Sequence, residues 1–171
     1  MKNAFIKLHI SILLAGFTGL FGKLITLNEG LLVWYRMMFA AVLLFTILKI
    51  SNKLQSIPLR EQLKIAGTGF ILGLHWVFFY GSIKMSNVSV GVVCFSLVGF
   101  FTALLEPLLI RRRFKVKELL FSLITVAGIL LIFRFDMRYR TGIIIGIISS
   151  ALAALFLSLI HISEPTRPLY I

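Results

Sequence analysis

The chain has 171 residues, of which 59% are hydrophobic and only 14% charged, with a formal net charge of +12. Soluble domains carry about 25% charged residues, so the composition excludes an ordinary water-soluble globular enzyme and points to lipid as the solvent. The excess of Lys and Arg sits in short tethers rather than in a stripe or basic helix, which argues against nucleic acid as a partner.

Six apolar runs follow one another at residues 9–27, 30–48, 65–83, 88–110, 119–135 and 142–160. Each is long enough to cross a hydrocarbon layer about 30 Å thick as a helix. In lipid the backbone must satisfy its own hydrogen bonds, so such runs are helices. The expected fold is therefore all-α, a polytopic membrane helix bundle of about six spans. Lys2 and Lys7 ahead of the first run resemble the start of a signal peptide, but no small-x-small cleavage site stands near Gly22. The first run is read as a retained helix.

Within that first run, Gly16, Gly19 and Gly22 recur every third residue and end on Lys23. Such a ridge lets another backbone approach closely, and Lys23 is either a lysine reaching for the interface or a gating charge. The second run brings Trp34, Tyr35 and Arg36 about six residues from its start, roughly 9 Å deep. Arg36 is balanced between a snorkelling arginine in an aromatic belt and a fixed positive charge for a substrate carboxylate. Between the second and third runs lies the longest tether, 49–64, where Pro58 suits the first turn of a helix that begins early.

The third run carries His75 and Trp76 near its middle, with Tyr80 one turn further on the same face. A histidine among Phe, Leu, Gly and Val needs a partner: a neighbouring carbonyl, or a substrate in a cavity. Near the end of the fourth run Glu106 precedes Pro107, which releases a carbonyl one turn earlier and permits a kink or gate. Cys94, the one cysteine, is a small packing residue, and no disulfide or thiolate metal site can form. No catalytic motif joins these groups, so catalytic, cofactor-binding and metal residues are all expected to be absent. The substrate-binding candidates are Trp34, Tyr35, Arg36, His75, Trp76 and Tyr80. The gating or charge candidates are Lys23, Glu106 and Pro107.

Orientation follows from the tethers. Eleven Lys and Arg fall on one side (Lys2, Lys7, Lys49, Lys53, Arg60, Lys64, Arg111, Arg112, Arg113, Lys115, Lys117) and five on the other (Lys23, Lys84, Arg134, Arg138, Arg140). The richer side is the cytoplasmic one, which places the N-terminus inside a cell (plasma or inner) membrane.

These residues in this order resemble the EamA-type transporters of the drug/metabolite transporter superfamily. The pattern runs from Phe5 to about Phe156: the glycine-rich first helix closing on Lys23, Arg36 early in the second, Leu105-Glu106-Pro107 before a basic turn, then Glu118 ahead of Gly128-Ile129-Leu130. The resemblance implies two five-helix repeats of inverted topology with a substrate path between them. On that basis residues 1–135 form the first repeat and 136–160 the first helix of the second. Residues 161–171 form a disordered or non-native tail. From Ser158 onward the sequence also resembles translated sequencing-adapter read-through, so the native chain is expected to continue beyond about Phe156.

The function so implied is transport, by alternating access, of small organic metabolites out of the cell. Lipid and a small-molecule substrate are the expected partners, with a homodimer or a second repeat completing the path. Two rivals are a non-transporting membrane scaffold and a small multidrug-type exporter acting as a dimer. The latter resembles a unit with a glutamate in its first helix, which this chain lacks.

Overall fold

A computed structural model describes the backbone of residues 2–111, 113–133 and 137–163. The orienting residues Arg112 and Arg134, and residues 164–171 of the expected tail, lie outside these described residues, while residues 161–163 continue the last helix. Every regular element among them is helical: α1 Lys2–Leu24, α2 Glu29–Ile50, α3 Leu59–Met85, α4 Val88–Phe95, α5 Val98–Ile110, α6 Val116–Phe133 and α7 Arg140–Ser163, with a 3₁₀ turn at Met137–Tyr139 before α7. Five stretches are long and apolar enough to cross a membrane, with α4 and α5 counted together. The eighteen residues of α6 form a sixth apolar helix, entered through Lys117 and Glu118.

Local chemistry sets the boundaries. The side chain of Asn28 accepts a hydrogen bond from the Gly30 amide, capping α2, and that of Asn87 accepts from Val90, capping α4. Each satisfies one of the donors a helix start leaves orphaned. Pro58 occupies the cap position of α3, which begins at Leu59 and so reaches well ahead of its apolar run. Arg111 ends α5 in the left-handed conformation at φ 55°, its amide donating to the Pro107 carbonyl.

One expected helix is two. The fourth run breaks at Ser96–Leu97 into α4 and α5. At the break the Ser96 hydroxyl donates to the Val93 carbonyl at 2.6 Å, and the Leu97 amide reaches back to Cys94 at 3.0 Å. This is a tightened 3₁₀-type turn inside a helical path. Pro107, in contrast, sits inside α5 without ending it. The interruption therefore falls ten residues before the proline.

The bundle is organised around α7. A third of its apolar window is buried, against 6% for α1, and it packs on α3, α4 and α5. The reason is a ladder of small residues at every fourth position: Gly142, Gly146, Ser150, Ala154 and Ser158. A repeat of four keeps these on one face, where their size lets neighbouring backbones close in. A side-chain carbon at Gly142 would sit 2.6 Å from Ser86, and one at Gly146 only 2.7 Å from the Cβ of Cys94. The seam is also bonded. Ser82 donates to the Gly142 carbonyl at 2.7 Å, and Ser150 to the Cys94 carbonyl at 2.6 Å, the latter from α7 onto the last turn of α4.

The outward faces are apolar almost without interruption. Leu14, Phe39, Leu43 and Phe70 are each more than 60% exposed, and they belong to three different helices. A soluble monomer rarely shows such continuous apolar surface, so these faces are lipid contacts.

Candidate functional site: an arginine held between aromatic rings

The site is built on α2 and α3. Arg36, two turns into α2, donates from Nη1 to the Tyr80 hydroxyl at 2.6 Å. Its guanidinium also lies 3.9 Å from the centre of the Trp76 ring. Trp76 and Tyr80 stand one turn apart on α3 and stack on each other at 5.7 Å. The cation is thus fixed edge-on by a hydroxyl and face-on by an indole. Cation–π contacts of this kind contribute about 0.5–2 kcal/mol, more as water is excluded. A guanidinium has five N–H donors, so a bond to Tyr80 leaves others free in a fixed plane.

Tyr80 owes its position to α1. A side-chain carbon at Gly22 would meet the Tyr80 ring at 2.3 Å, so glycine is required for α1 and the ring to coexist. Gly19 gives similar room to Val88 and Ile83, while Gly16 faces nothing within 4 Å. Two of the three glycines in the expected ridge are therefore close-packed, and the third is not.

His75 lies one turn before Phe79 and is only 3% exposed. Its Nδ1 is 2.9 Å from both the carbonyl and the hydroxyl of Ser149 on α7, and that hydroxyl donates to the His75 carbonyl at 3.1 Å. A carbonyl can only accept, so in this contact Nδ1 is the donor. The carbonyl partner foreseen for this histidine is thus present, supplied by another helix. Its ring packs against Phe79 and Phe95.

The remaining candidates are dispersed. Trp34 and Tyr35 are 57% and 41% exposed, in contact with each other and, through Tyr35, with Phe39. Lys23 reaches the carbonyls of Ile83 and Ser86 at 3.4 Å, tying the end of α1 to the end of α3. Glu106 lines a separate cleft beside α6. Sequence reasoning passed over Lys84, which donates to the Leu27 carbonyl and lies 3.9 Å from Glu29. It also passed over Ser149. The signal for Ser149 was the Ser149-Ser150 pair within the small-residue ladder. Among the described residues no group of three His, Cys, Asp or Glu could hold a metal.

A membrane-spanning helix bundle with a basic and aromatic cluster set between two of its helices belongs, as a class, with the polytopic membrane proteins. The family comparison makes this specific: the model of the EamA-like transporter family matches residues 3–134. The chain belongs to that family, and so is a multi-pass membrane protein of a kind that moves small solutes rather than catalysing reactions. Neither the comparison with curated proteins nor that with solved structures gives a match.

Proposed function

We propose that the protein exports small amphipathic metabolites bearing a carboxylate by alternating access, with Arg36 as the anchor for the anion. The observation that carries this reading is the clamping of Arg36 between the Tyr80 hydroxyl and the Trp76 ring. A charge inside a span is costly, and one held in a fixed plane with spare donors matches a planar carboxylate in bidentate fashion. Trp76 and Tyr80 offer the apolar wall for the substrate body. Trp34 and Tyr35, the residues just before Arg36 on α2, would add aromatic contact, and His75 holds α3 against α7 through Ser149.

In this reading residues 1–135 are one repeat and α7 opens the second, with further helices or a second copy completing the path. The N-terminus faces the cytoplasm of a cell membrane. Gating rests on Lys23, whose ammonium grips carbonyls at the end of α3, and on the Glu106–Pro107 step near the other end of the bundle.

Flux into inside-out vesicles carrying the protein tests the proposal. Uptake of an aromatic amino acid should exceed that of its carboxamide, which lacks the carboxylate, and Arg36→Ala should abolish the difference. Unchanged flux in a variant with both Arg36→Ala and His75→Ala would overturn the site assignment.

A further inference from the structure

Little holds α1 in the bundle. From Ala4 to Phe17 every residue is exposed, and among the described residues the helix buries only Gly19 and Gly22. It meets its neighbours through its last two turns. There Gly19 lies against Val88 of α4 and against Ile83, which is fully buried near the end of α3. Gly22 lies against the ring of Tyr80, and the next residue, Lys23, donates to the carbonyls of Ile83 and Ser86 at 3.4 Å. A helix docked over so short a stretch undocks at less cost than one packed along its length.

That stretch is also a wall of the arginine clamp. Tyr80 is 4% exposed, enclosed by Trp76 at 5.7 Å, Phe79 at 5.8 Å and Gly22 of α1. Its hydroxyl accepts from Arg36, and the same guanidinium lies over the Trp76 ring. The ring keeps its place because it is packed on every listed side, and removing one neighbour opens space for it to turn. Gly22 and Lys23 are consecutive. A displacement that pulls the ammonium off the α3 carbonyls also draws Gly22 away from Tyr80.

We infer that Gly22 and Lys23 are positioning residues for the anchor: α1, docked at the less basic end of the bundle, holds Tyr80 and so keeps Arg36 in its anion-binding plane. The anchor grips an anion while that end is closed and releases it as α1 undocks. Such coupling is reciprocal, so a bound anion in turn holds α1 in place. The inference rests on the proposed anchoring of a carboxylate at Arg36 and names the element that regulates it.

The test uses the full chain in nanodiscs with Trp34→Phe as background, which leaves Trp76 as the one tryptophan. Its emission reports the guanidinium over its ring and needs no substrate. Gly22→Ala should shift that emission towards the value given by Arg36→Ala. So should Lys23→Met, which keeps the stem and removes the ammonium. Gly16→Ala, facing open space on the same helix, should leave it unchanged. Phenylalanine affinity, with the carboxamide as control, should fall about fivefold or more in Gly22→Ala, and no further where Arg36→Ala is already present. Parent emission in either α1 variant, or an equal shift in Gly16→Ala, would overturn the coupling. So would an equal loss of affinity for phenylalanine and its carboxamide, which would make Gly22 a packing residue only. Should Gly22→Ala lose its helical circular dichroism, Lys23→Met decides alone. Parent emission in Arg36→Ala would sink the clamp and this coupling with it. If the emission shifts as expected but phenylalanine does not bind, the positioning of Arg36 by α1 stands and the carboxylate reading falls.

Discussion

The side chains most exposed to test are those with one strong partner. The Tyr80 hydroxyl accepts from Arg36 at 2.6 Å, so Tyr80→Phe should release the guanidinium from its plane while leaving the ring packed against Gly22. A bond to a charged group is worth about 1.5–3 kcal/mol, which predicts a rise in KM of roughly tenfold or more with folding intact. Arg36→Lys should fail to restore transport, because an ammonium presents no planar fork and cannot match both Trp76 and a carboxylate. Flux measurements on the two variants check both statements. Ser149→Ala removes one of the two acceptors at His75 but spares the backbone carbonyl. It should cost only about 1 kcal/mol in a detergent melting experiment, whereas His75→Leu, which removes the imidazole bond to α7 altogether and leaves the Ser149 hydroxyl only its bond to the backbone carbonyl of residue 75, should cost more.

Among helices, α7 decides whether the bundle closes. Its ladder of small residues reads as one face only if the period of four is recognised, and the tight contacts at Gly142 and Gly146 show why each rung must be small. Gly146→Val should push α7 from α3 and α4, where Cys94 and Ser82 already lie within 2.8 Å of the position a side chain would take. Overpacking of this sort costs about 1–3 kcal/mol, and the melting temperature should fall accordingly. Gly16→Val, facing open space on α1, should leave it unchanged. The break at Ser96–Leu97 belongs here as well. It escaped the hydropathy pattern because Val88 to Ile110 is apolar throughout, and nothing in that pattern registers a serine hydroxyl turning back on its own helix. The capture of the Cys94 carbonyl by Ser150 completes the break from a helix far along the chain.

The molecule as a whole carries its charges asymmetrically, and that is a statement about orientation. With Cys94 buried, a cysteine introduced at Ser56 reports on one side of the membrane and one at Asn28 on the other. A membrane-impermeant maleimide should label Asn28→Cys in intact cells and Ser56→Cys only after the membrane is opened, as the eleven-to-five distribution of Lys and Arg requires. The reverse pattern would invert the proposed direction of export. Lys23 and Lys84 stitch the α1–α2 and α3–α4 turns together at the less basic end, so that this end of the bundle is held as one body.

Hydropathy is a one-dimensional property, summed along consecutive residues. The apolar runs, their order and the solvent around them could thus be read directly from the chain, as could the family through its ordered motifs. Arg36, Trp76 and Tyr80 were likewise legible as candidates, because charged and amphipathic side chains stand out against lipid-soluble neighbours. Pairing is different in kind. That Arg36 would meet Tyr80, that His75 would turn to Ser149 seventy-four positions away, and that Tyr80 would pack on Gly22 all depend on how helices rotate about their own axes. Rotation is set by which small residues allow close approach, and that information lies in contacts between distant segments rather than in any stretch of sequence.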